Sequence, residues 1–132
     1  MNTARRYGKF VLLILTGLLL FFGPAGCVAN ISQQDLLTQI QDGSPPLVLD
    51  VRTPGEYREG HVPGAVNISV FDFRSRFEQM DPPKDKPIVV ICEHGPRSSF
   101  AGFMLKSAGY TNVLELDGAM HEWKKSKLPL EK

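Results

Sequence analysis

Seven consecutive residues, Cys92-Glu93-His94-Gly95-Pro96-Arg97-Ser98, gather a thiol, a carboxylate, an imidazole, a guanidinium and a hydroxyl. They follow the run Ile88-Val89-Val90-Ile91, whose β-branched apolar residues predict a buried strand, and they lead into a helical pattern from Ser98 to Ser107. A tight loop between a strand end and a helix start turns backbone N–H groups inward, and the helix adds its own unpaired N–H groups and positive dipole end. Such a loop favours an anion at its centre. The thiolate is the nucleophilic form of cysteine, so Cys92 is the candidate nucleophile.

The loop residues Glu93, His94, Gly95, Pro96, Arg97 and Ser98 are the expected substrate-binding set. Arg97 offers a planar fork suited to a sulfonate or another oxyanion, and Gly95 supplies the backbone freedom for a tight turn around the sulfur. Glu93 acts the other way, because a carboxylate aimed at the sulfur would oppose its ionisation; it is expected to face solvent or a partner. His94 could orient a substrate or move a proton, although a loop histidine is more often structural or exposed. His61, His94, His121 and Cys92 show no zinc-motif spacing, so neither a metal nor an organic cofactor is expected.

The surrounding sequence reads as alternating short helices and strands. Ser32 with Asp35 is a variant capping box opening a helix over Gln33 to Gln41, and Leu47-Val48-Leu49 is a strand ending at Asp50. Thr53 to Arg58 predicts a short helix with Pro54 in its first turn, and Ala65 to Ile68 another brief strand. Phe71, Phe73 and Phe77 suggest a third helical stretch closed by Pro82-Pro83. Ile88 to Ile91 should be the central strand. The next helix, with Phe100, Phe103, Met104 and Leu105, is apolar around most of its girth and is expected to be buried. Asn112 to Leu116 and Gly118 to Lys125 supply a last strand and a last helix. This alternation predicts an α/β domain: a short parallel sheet with helices on both faces and its site at the carboxyl ends of the strands.

The loop Cys92 to Ser98 resembles the active-site loop of rhodanese-like sulfurtransferases. The likeness extends to Asp50-Val51-Arg52, Glu56-Tyr57, Gly60-His61-Val62-Pro63-Gly64-Ala65 and Asn67-Ile68 upstream, and to Asp117-Gly118-Ala119, Trp123 and Leu128-Pro129 downstream. Ala119 stands where a second Gly is common. The resemblance covers roughly residues 31–130 and implies a rhodanese-like fold. It implies a ping-pong sulfurtransferase in which Cys92 takes a sulfane sulfur from thiosulfate or a persulfide, holds it as a persulfide, and passes it to a thiol or cyanide. Asp50, Arg52, Glu56 and His61 would then hold the scaffold around the loop.

Cysteine phosphatases and arsenate reductases also join a cysteine and an arginine around an anion loop, with five residues between them. Here only Glu93, His94, Gly95 and Pro96 intervene, and the smaller ring suits a sulfane sulfur. The alternative outside enzymology is a catalytically weak binding or sulfur-relay module at the membrane surface; an intact Cys92 weighs against a dead module.

The N-terminus has a different composition. Arg5, Arg6 and Lys9 precede thirteen residues, Phe10 to Phe22, broken only by Thr16 and Gly17, which is the layout of a signal peptide. Ala25-Gly26-Cys27 resembles the lipobox of bacterial lipoproteins, with Pro24 where an aliphatic residue is usual. The expected organisation is therefore a lipoprotein-type signal peptide or uncleaved anchor over 1–26, a tether over 27–30 and the domain over 31–132. Cys27 is the expected lipidation site, and the location is extracytoplasmic and membrane-associated. Removing residues 1–26 takes away three of 15 basic groups and none of the 14 acidic ones, leaving a net charge of about −2. A domain so close to neutrality gives no electrostatic case for nucleic acid. Oligomeric state is not legible.

Overall fold

The computed structural model describes residues 28–132. Residues 1–27, with the apolar run and Cys27, lie outside the described residues. Among the described residues no helix is long and apolar enough to cross a membrane.

Among the described residues five strands, β1 (Ala29–Ile31), β2 (Leu47–Asp50), β3 (Val66–Asn67), β4 (Ile88–Ile91) and β5 (Val113–Leu116), alternate with five helices. The helices are α1 (Gln33–Gln41), α2 (Pro54–Glu59), α3 (Phe73–Met80), α4 (Pro96–Ser107) and α5 (Ala119–Lys125). The sheet order is β1-β5-β4-β2-β3 and every neighbouring pair is parallel. This is the α/β architecture expected from the alternation, and β4 is the central strand.

The two-residue period of β4 divides the core. Ile88 and Val90 pack with Phe73, Phe77, Ala101 and Leu105, under α3 and α4. Val89 and Ile91 pack with Leu36, Leu37, Met120 and Trp123, under α1 and α5. A central strand with both faces covered must be apolar at every position, and all four β4 residues are buried. Cys92 continues the Ile88–Val90 parity and belongs to the first of these clusters.

Strand order reverses between β2 and β4. From β2 the chain moves outward to β3, whereas from β4 it moves the opposite way to β5. Connections leaving in opposite directions open a crevice at the carboxyl ends, the usual place for a ligand in an open α/β sheet. Arg52 follows β2 and Cys92 follows β4, so the two flank that crevice.

Three expectations need correction. Residues 29 and 30, read as tether, begin β1, which pairs with β5 in the register Ala29 to Leu114 through Ile31 to Leu116. Three residues give too short an apolar signal to be recognised. Helix α4 is not buried all round. It buries Ser98, Ala101, Gly102 and Leu105, a single i, i+3, i+4, i+7 stripe, while Phe100 and Phe103 are 56% and 61% exposed. Small residues let the helix approach the sheet closely, so its bulky residues are displaced outward; at Gly102 a Cβ would stand 3.1 Å from Val28 Cγ2. Phe71 precedes α3 and is 83% exposed, whereas Phe73 and Phe77 are buried.

Candidate active site

The floor of the site is Cys92, 1% exposed at the end of β4. The Gly95 N–H donates to Cys92 Sγ at 2.9 Å, and Ser98 Oγ stands 3.5 Å from the same sulfur. Gly95 has φ +115°, a conformation an L side chain rarely adopts, so glycine is what allows its amide to turn back onto the sulfur. Pro96 opens α4 where a missing N–H costs nothing. Ser98 Oγ lies 2.7 Å from the Gly95 carbonyl and 3.0 Å from Glu115 Oε2, and the Ser99 hydroxyl donates to the same carboxylate oxygen. The loop is thereby fastened to β5 through Glu115.

Arg97 forms a fork with Glu56, Nη1 to Oε2 and Nη2 to Oε1, both 2.8 Å. The Arg97 hydrogen bonds outweigh burial and, with help from Thr53, hold the Glu56 carboxyl well below the usual carboxylate range. Arg97 is raised in turn, chiefly by Glu56 against the effect of burial. Glu56 also accepts from the Thr53 N–H at 2.9 Å as the capping box of α2. The guanidinium expected to receive an oxyanion is therefore oriented by a carboxylate, with two of its five N–H groups engaged.

Glu93 faces partners and not the sulfur. Its Oε2 accepts from Arg52 Nη1 at 3.2 Å and Lys124 Nζ at 2.9 Å, and its Oε1 from Lys124 at 3.1 Å. Burial pushes this carboxyl upward, but Lys124 and then Arg52 overcome it and leave it below its ordinary value. Arg52 is the hub of the crevice. Its side chain is fully buried; Nε and Nη2 donate to both Asp50 oxygens at 2.7–3.1 Å, and Nη2 also donates to the Gly60 carbonyl at 2.8 Å. A buried guanidinium is tolerable only with its donors paired. Asn67 clasps the same turn, donating to the Asp50 and Arg52 carbonyls at 2.9 Å.

His61 is held by partners outside the Cys92 loop. Its ring stacks on Tyr57 with centroids 3.6 Å apart, its Nδ1–H donates to the Tyr57 carbonyl at 3.0 Å, and its backbone pairs with Glu131. It secures the C-terminal segment to the loop after α2. His94 is exposed, and beside it lies a cavity of about 370 Å³ lined by His94, Gly95, Glu115, Asp117, Gly118 and His121. A cavity of the same size between α3 and α4 contains none of the loop residues.

Sequence reasoning missed Glu115 and Lys124, which brace the loop from β5 and α5. A lone glutamate in a strand and a lysine in a helix's last turn carry no linear signal; only the fold brings them to the loop. The backbone does the same for α5, whose Met120 and His121 N–H groups donate to the Cys92 and Glu93 carbonyls at 3.0 Å.

A family model for the rhodanese-like domain matches residues 32–126. A sulfurtransferase of Allochromatium vinosum is 32% identical over 103 residues, covering 78% of this chain and 94% of its own length. The thiosulfate sulfurtransferase GlpE of Pseudoalteromonas translucida is 30% identical over 90 residues, covering 64% and 79%. The crystal structure of a rhodanese-related protein from Thermoplasma volcanium superposes with a TM-score of 0.67 at 30% identity, over 78% of this chain and 97% of that one. With its parallel sheet, its cysteine loop after the central strand and these likenesses over most of its length, the chain belongs to the rhodanese-like family.

Proposed function

We propose that this protein is a sulfurtransferase that carries a sulfane sulfur on Cys92. The observation that bears the reading is the Gly95 N–H directed at Cys92 Sγ from 2.9 Å, in a loop that leads into a helix N-terminus. A fixed amide donor stabilises a sulfur anion before substrate arrives and again in the persulfide product. The Cys92 thiolate attacks the outer sulfur of thiosulfate, the thiosulfate S–S bond breaks, and sulfite leaves with the electron pair. Cyanide or an acceptor thiolate then attacks the terminal persulfide sulfur and returns the Cys92 thiolate. Arg97, held by Glu56, offers its remaining N–H groups to the donor's sulfonate. Asp50, Arg52, Glu56 and His61 serve as scaffold, and the remaining loop residues shape the space around the sulfur. The sulfurtransferase names of the two relatives support the same class of reaction.

The composition of residues 1–27 supports an extracytoplasmic location on a membrane, through lipid on Cys27 or an uncleaved apolar segment. Fractionation tests that placement: the native chain should sediment with membranes, and a chain lacking residues 1–27 should not.

Sulfur transfer is tested by incubating the reduced, full-length chain in mild detergent with thiosulfate, then reading the mass of the Cys92 peptide. A gain of about 32 Da, discharged by cyanide as thiocyanate and absent in Cys92→Ser, is expected. Folded, reduced protein that takes no sulfur from thiosulfate or a persulfide donor would refute the assignment and leave the binding-module reading.

A further inference from the structure

His94 and His121 are separated by 27 positions in sequence, yet the fold holds them side by side. Backbone hydrogen bonds from Met120 and His121 to the Cys92 and Glu93 carbonyls fix the start of α5 against the loop. The imidazole centroids are 5.1 Å apart and tilted by 39°. One ligand atom each from Glu93, His94 and His121 lies within 4.8 Å of the others.

Two imidazoles and a carboxylate are a donor set suited to Zn²⁺ and similar borderline divalent ions. Tetrahedral zinc with bonds of ~2.0–2.1 Å places its ligands about 3.3 Å apart, so the three atoms need to close by roughly 1.5 Å or less. Both imidazoles are exposed and free to make that adjustment by rotation. Glu93 already has one suitable lone pair in reach of exchange. Its Oε2 is shared by Arg52 and Lys124, but among the described residues its Oε1 accepts from Lys124 alone, and Lys124 is 36% exposed.

We propose that Glu93, His94 and His121 bind one Zn²⁺ at the rim of the Cys92 loop, with Lys124 displaced from Glu93 Oε1 as the ion enters. Three protein ligands leave a fourth position for water or another small ligand. Zinc and the Lys124 ammonium then compete for the same carboxylate oxygen. Cys92 contributes no ligand to this site.

The test is calorimetric titration of the full-length chain in detergent with Zn²⁺, in a Cys27→Ser, Cys92→Ser background that removes competing thiols. One ion per chain is expected. Adding His121→Gln should weaken binding at least tenfold, roughly the effect of losing one of three ligands. Adding Lys124→Met should tighten it by about three- to tenfold, by removing the competing cation. Both side chains are at least partly exposed, so the fold should persist, with circular dichroism as the check. Absence of saturable binding, equal affinity after His121→Gln, or no gain after Lys124→Met would each overturn the site as described.

Discussion

The buried Asp50–Arg52 pair makes a prediction whose size follows from its geometry. Arg52→Met removes the guanidinium, leaving a 1%-exposed carboxylate with the Arg52 backbone N–H as its remaining close donor, and it strips the Gly60 carbonyl of its partner. Breaking one side of a buried ion pair costs about 3–5 kcal/mol because the other charge stays behind unpaired. Asp50→Asn leaves the guanidinium in place, but Glu93 still neutralises part of its charge, so about 2–3 kcal/mol is expected. If unpaired charge is the source of both costs, the double variant, neutral at both positions, must be destabilised by less than the sum, and by about as little as Asp50→Asn alone. Urea unfolding of the four proteins measures this. With a slope of ~1.5 kcal/mol per molar, a loss of 3 kcal/mol moves the midpoint by about 2 M. Additive single effects, to within about 0.5 kcal/mol, would refute the reasoning and show that the groups act through independent contacts. Sulfur loading should persist in the double variant at the reduced stability, since Arg52 and Asp50 do not touch Sγ.

Glu56 gives a pH dependence with a definite sign. Its folded carboxyl is held well below the usual range, so the stability it contributes is fully present above the ordinary glutamate value of about 4.3 and is lost as pH falls towards the folded value. Glu56→Gln should therefore be destabilised by about 1 kcal/mol near neutrality, with the gap from the native protein closing below about pH 4. Thermal unfolding from pH 7 to pH 3 checks this, and a gap that widens in acid would contradict it. Helix α4 supplies a contrast in burial: Leu105→Ala should cost about 2–4 kcal/mol, whereas Phe103→Ser should change stability by roughly 0.5 kcal/mol or less. Chemical denaturation of both variants tests whether the Ser98–Ala101–Gly102–Leu105 stripe, and not the phenylalanines, forms the contact with the sheet.

The sequence by itself determined the order of elements from α1 to α5 and the place of Cys92 after the central strand. Strand β4 is apolar at every position and is followed at once by Cys-x-x-Gly-Pro, a pattern local enough to specify strand, loop and helix without knowledge of the rest. The Ser32 cap, Pro54 in the first turn of α2 and the breaker Pro82-Pro83 act over three or four residues, and these helices begin or end near them. Tertiary structure decided what those elements present to one another. Whether Phe100 and Phe103 are buried depends on which stripe of α4 meets the sheet, and β1 exists as a strand because β5 is available to pair with it. The partners of Arg97 and Glu93, respectively Glu56 and the pair Arg52 and Lys124, lie 31 to 41 positions away. The cluster of Glu93, His94 and His121 arises in the same manner, from α5 docking its backbone on the loop. Local rules fix backbone conformation because they act through neighbouring peptide groups, but charges and ligands meet through space, and a linear pattern carries no record of that proximity.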